Sequence, residues 1–91
     1  MAINQANLAT FESHLVDAYR DLFDNDPEYA YAASRTTPTE LACKMAAGLA
    51  TGAANKDGDG IKRACKAVGI KHTYKAIQHY LNAPSGDCAS R

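Results

Sequence analysis

The earliest strong pattern along the chain is a helical one. From Asn7 to Asp24 the apolar residues Leu8, Phe11, Leu15, Ala18, Tyr19, Leu22 and Phe23 recur three and four apart, the spacing that gathers side chains on one face of a helix. The other face carries Glu12, Asp17, Asp21 and Asp24, and Asn7 is a suitable N-cap. Asp26-Pro27 then places an acceptor side chain ahead of a proline at the first helical position. PEYAYAAS therefore reads as a short helix presenting Tyr29 and Tyr31.

Thr37-Pro38-Thr39-Glu40 has the form of a capping box with proline at N1, and it opens a third helix through Leu41, Met45 and Leu49. Its alanines and Gly48 allow close helix packing, and Gly52 is a stop. After a polar loop, a fourth helix runs from about Gly60 to Val68 with Ile61, Ala64, Cys65 and Val68 inward. Gly69 ends it in the left-handed conformation, with Ile70 folding back beneath. Thr73 caps a fifth helix whose stripe is Tyr74, Ile77, Tyr80 and Leu81. No stretch alternates as a strand does. The expected fold is all-α, a compact bundle of four to five short helices forming one domain over residues 1–82. Residues 83–91, with Pro84, Ser85 and Gly86, read as a disordered tail.

NKDGDGIKRACK, residues 55–66, invites comparison with a calcium loop. Such a loop needs oxygen ligands at positions 1, 3 and 5, glycine at 6 and a bidentate glutamate at 12. Asn55, Asp57, Asp59 and Gly60 satisfy the first four, but position 12 is Lys66, an ammonium where two carboxylate oxygens must close the shell. The stretch reads better as the way into a helix, with Asp59 as its cap. No metal and no cofactor is expected: Cys43, Cys65 and Cys88, with His14, His72 and His79, lack the paired spacing of a zinc site. The odd cysteine number fits reduced thiols, and Cys43 and Cys65 read as small core residues.

Length and composition narrow the function. The 91 residues suffice for one modest core and exclude a two-domain enzyme. No apolar run spans a bilayer and no leader pattern is present, which gives the expectation of a cytoplasmic protein without membrane contact. Nucleophile-elbow, phosphate-loop and paired-carboxylate patterns are missing, so no enzymatic activity is expected. The net charge is zero, yet residues 1–43 hold seven acids and two bases while residues 44–91 hold eight bases and three acids. This asymmetry points to charged partners.

IKRACKAVGIKHTYKAIQHYL resembles a helix-turn-helix, with a small residue inside the first helix, a Gly-Ile turn and a hydroxyl cap on the second. The second cap falls about two residues later after the glycine than in the usual pattern. Lys62, Arg63 and Lys66 on one helix, and Lys71, His72, Lys75, Gln78 and His79 on the other, form its outward set. Lysine and arginine can meet phosphates and glutamine a base edge. The ordinary alternative is a solvated charged face.

The whole chain, and GIKHTYKAIQHYL in particular, also looks like the small all-helical accessory proteins of phages and other mobile elements, among them anti-CRISPR inhibitors of bacterial type I surveillance complexes. That resemblance implies a stoichiometric inhibitor acting in the host cytoplasm. It would occupy a nucleic-acid path on a ribonucleoprotein and set acids against a lysine-rich surface. The acids available for this are Asp17, Asp21, Asp24, Asp26 and Glu28. Two functions thus stand open: a protein-directed inhibitor, and a direct DNA- or RNA-binding regulator, the latter as a homodimer because one short hairpin offers little contact area.

Overall fold

The computed structural model describes residues 3–83. Its spine is α1, Gln5–Asn25, about 32 Å long at the standard helical rise. Phe11, Leu15, Ala18, Tyr19 and Leu22 are buried along it, as the spacing predicts. The helix starts earlier than expected. Asn4, not Asn7, is the N-cap, and its side chain accepts from the Asn7 N–H at 3.1 Å. The start is fixed from across the fold: the Asn4 N–H donates to the Leu81 carbonyl at 2.8 Å, and the Asn4 and Asn7 amides donate to the carbonyls of Ala83 and Tyr80.

The chain turns extended at Asp26, as the residue before proline prefers, and the Asp26 carboxylate accepts from the Glu28 N–H. A 3-10 turn, Pro27–Tyr29, leads into α2, Ala30–Ala33. The two tyrosines expected on its surface part company. Tyr29 turns inward, its ring 6.2 Å from that of Tyr19 and 6.0 Å from that of Phe23. Tyr31 stays 72% exposed with the Arg35 guanidinium over its face. Residues two apart on a helical turn point to nearly opposite sides, so only one could join that cluster.

The third helix, α3, covers Pro38–Thr51, with the Thr37 hydroxyl accepting from the Glu40 N–H. The Glu40 carboxylate accepts from the Thr36 hydroxyl. Ala42, Ala46, Leu49 and Ala50 face the core, and that register turns Cys43 outward, contrary to its reading as a core residue. The fourth, α4, covers Asp59–Val68. Its N-cap position is Gly58, so Asp59 lies in the first turn and is not the cap. The fifth, α5, covers Tyr74–Leu81 and is capped by Thr73. Both α3 and α4 end on a left-handed glycine, Gly52 at φ 78° and Gly69 at φ 77°. In each case the next residue donates back to the carbonyl five positions earlier: Ala53 to Gly48 and Ile70 to Cys65. This paired bond ties off carbonyls the helix end leaves free.

The described residues form an all-α bundle around one core. Phe11 and Leu15 meet Ala46 and Leu49 of α3, Ile61, Ala64 and Cys65 of α4, and Ile77 and Leu81 of α5. The small residues on α3 and α4 let both approach α1 closely. The last two helices do not pack as helix-turn-helix partners do. α4 lies along α1, α5 lies on α3 and the start of α1, and α4 and α5 have little direct contact. Ala83, assigned to the tail on sequence, belongs to the packed domain through its bond to Asn4. The expected disorder of residues 84–91 lies outside the described residues. No described helix is long and apolar enough to cross a membrane.

Candidate binding surfaces

The eight outward residues expected to act together divide into four groups. Lys71, Lys75 and His79 converge, lining an open depression along α5 with Thr73 and Ala76. Lys62 and Lys66 are exposed on α4, on a different helix. Arg63 is taken by an ion pair, its guanidinium donating to the Asp21 carboxylate at 2.7 Å. His72 and Gln78 are half-buried. The His72 ring is hydrogen-bonded to the Lys56 carbonyl, and Gln78 lines an adjoining groove with Ile3, Ala50, Thr51 and Asn82, its edge shared with the depression at His79.

The depression sits on a braced base. The Tyr74 hydroxyl donates to the Ala54 carbonyl at 2.7 Å and accepts from the Lys56 N–H. With the His72 bond, this fastens the 53–58 loop over the start of α5. Lys56, absent from the expected set, places its ammonium 5.9 Å from the Tyr74 ring centre and 3.1 Å from the Asp57 carboxylate. Asp57 also donates its backbone N–H to the Asn55 side chain. Asn55, Lys56 and Asp57 of the calcium-like loop are thus engaged with one another. Among the described residues no group of three or more His, Cys, Asp or Glu side chains comes together as a metal site.

The acids gather at the other end of α1. Asp17, Asp21 and Asp24 recur four and three apart on its exposed face, and Glu28 follows on the 3-10 turn. The Arg63 hydrogen bond holds the Asp21 carboxyl below its ordinary range, helped by the side-chain amide of Asn25. Asp17 stands 4.0 Å from Arg20. Asp26, half-buried, is the cap of the following turn. Asp17, Asp24 and Glu28 are left as the outward acids.

Asp24 is placed against helix physics. The last turn of α1 carries no basic residue, so an acid stands at the negative end of the helix dipole, three residues from another acid. Asp21 has Arg63 to offset that placement. Asp24 has no hydrogen-bond or ion-pair partner among the described residues. The two charged surfaces are well separated: Asn4 and Asn7 fix the end of α5 to the start of α1, whereas the acids occupy its last third. The acids at the end of α1 and the lysines beside α5 therefore lie apart. Among the described residues, Arg63 and Asp21 form the one ion pair that joins the two halves of the sequence.

Sequence reasoning found the charged residues but not their groupings. Nothing local marked Lys56 and Tyr74 as partners, since they are 18 residues apart and meet only when α3 and α5 pack. No known protein family, curated protein or solved structure matches this chain.

Proposed function

We propose that the protein is a non-enzymatic binding protein of phage or mobile-element type that docks on a bacterial ribonucleoprotein defence complex and blocks its nucleic-acid binding. The observation that carries the docking part is the acidic end of α1, where Asp24 is held at a position that helix energetics disfavour and no described side chain compensates. Acids at such a site are best accounted for by a basic partner surface, because local rules are broken mainly where function requires it. Surfaces that guide nucleic acid on a ribonucleoprotein are rich in lysine and arginine, and Asp17, Asp24 and Glu28 are complementary to them. The resemblance of the C-terminal segment to anti-CRISPR proteins supports the choice of target class.

The test is binding of the purified chain to purified type I surveillance complexes, followed by a target-DNA binding assay. Saturating wild-type protein should lower DNA binding, and the triple reversal Asp17→Lys, Asp24→Lys, Glu28→Lys should weaken inhibition at least about tenfold, since like charges now face each other. Equal inhibition by the reversed protein would reject the acidic docking face. Unchanged DNA binding by every such complex would reject the target class.

A further inference from the structure

We infer that the depression along α5 is a contact site for the phosphodiester backbone of a nucleic-acid strand, with Lys71 and Lys75 as its cations and His79 beside them on the rim. This site is at the opposite end of the molecule from the acidic surface and does not depend on the docking reading. Lys75 and His79 are one helical turn apart on the same face, with Cβ atoms about 5–6 Å apart, and the turn after Gly69 brings Lys71 to the same hollow. None of the three has a carboxylate partner among the described residues. The ion pairs there join Arg20 to Asp17, Lys56 to Asp57 and Arg63 to Asp21. Like charges gathered in this way repel one another until an anion enters.

The rest of the hollow favours a strand over a small phosphate. Its floor is Ala76 with Thr73 beside it, and the Thr73 hydroxyl is engaged as the helix cap, accepting from the Ala76 N–H at 3.1 Å. The Ile77 N–H donates to the Thr73 carbonyl. The Ala76 and Ile77 N–H groups are therefore occupied, and the hollow lies open along the helix, not closed around a single phosphate. An open hollow with a cationic rim and an apolar floor suits a polyanion, whose phosphates meet the rim while sugars pass over the alanine. The Gly69 turn and the His72 and Tyr74 bonds fix the backbone that carries Lys71 and Lys75. This leaves little main-chain ordering to be done on binding.

The experiment is fluorescence anisotropy with a fluorescein-labelled 20-nucleotide single strand, as DNA and as RNA, between 50 and 300 mM salt. Contact with two or three phosphates should give a dissociation constant on the order of tens of micromolar at low salt and a log–log salt slope of about −1.4 to −2.1. The double variant Lys71→Gln, Lys75→Gln should bind at least about tenfold more weakly with a slope smaller by about 1.4. Lys71→Arg, Lys75→Arg should retain binding, and Lys62→Gln, Lys66→Gln should stay within about twofold of wild type, because the first pair keeps the rim charge and the second lies on α4, outside the lining of the hollow. All these side chains are exposed, and circular dichroism checks that each variant is folded. Binding unaffected by the Lys71 and Lys75 pair, or lost with the Lys62 and Lys66 pair, overturns the assignment. So does displacement of the strand by pyrophosphate at concentrations near the protein's own, which would mark a small-phosphate site instead.

Discussion

Replacing Gly60 by alanine measures how closely α4 lies on α1. An alanine Cβ there would stand 2.8 Å from Cζ and 3.0 Å from Cδ1 of Tyr19, with Cε1 nearer still. The ring cannot swing away, because Tyr19 is 4% exposed and lies against Phe23 and Tyr29. Relief must come from α4 retreating, which loosens Ile61, Ala64 and Cys65 in the core. Overpacking of this kind costs about 1–3 kcal/mol, and alanine returns at most about 1 kcal/mol of helix propensity. The net expectation is a loss of about 1–2 kcal/mol, which lowers the urea midpoint by roughly 1–2 M for a chain of this size. Far-ultraviolet circular dichroism follows the transition. In a Tyr19→Leu background the ring is gone and Gly60→Ala should be less damaging, with a coupling of at least about 0.5 kcal/mol between the two sites. If Gly60→Ala left the midpoint unchanged or raised it, the close contact of α4 with the Tyr19 ring would be refuted.

Four further outcomes are expected. Asp24→Asn should raise stability by about 0.3–0.5 kcal/mol by removing an acid from the helix C-terminus, seen as a thermal midpoint about 1–4 °C higher, while weakening the docking proposed above. Asn4→Ala removes the α1 cap and the bond to the Ala83 carbonyl and should destabilise by about 1–2 kcal/mol in urea unfolding. In a Cys88→Ser chain, a thiol reagent should modify exposed Cys43 rapidly and Cys65 only on unfolding, since Cys65 is 1% exposed and burial pushes its thiol up. Burial, with Tyr29 adding to it, pushes Tyr19 up to about 12. Its contribution to stability is therefore complete below the unfolded tyrosine value of about 10 and declines as pH rises through the window to about 12. Absorbance at 295 nm should show late-ionising tyrosine coincident with unfolding, and Tyr19→Phe should remove part of it.

Much of the fold is legible locally. The α1 stripe, the Thr37 and Thr73 caps and the Gly52 and Gly69 stops all act within four or five residues, so their signals survive without tertiary context. The reading failed where distant residues intervene. Asn7 is as good a cap in isolation as Asn4, and bonds to Leu81, Tyr80 and Ala83 decide between them. Tyr29 and Tyr31 differ only in whether Tyr19 and Phe23 lie beneath them. The basic residues of the candidate site were all visible, but their sharing among α5, α4 and an ion pair was not.

The sequence by itself determined an all-α chain, the order of its helices and the segregation of acids from bases, because periodicity, capping and charge are properties of neighbouring residues. Only the tertiary structure decided that α4 and α5 pack on separate partners, that Arg63 is joined to Asp21, and that Lys71, Lys75 and His79 share one hollow. Those arrangements depend on which faces α1 and α3 offer as surfaces for burial. That choice is made by the whole core at once.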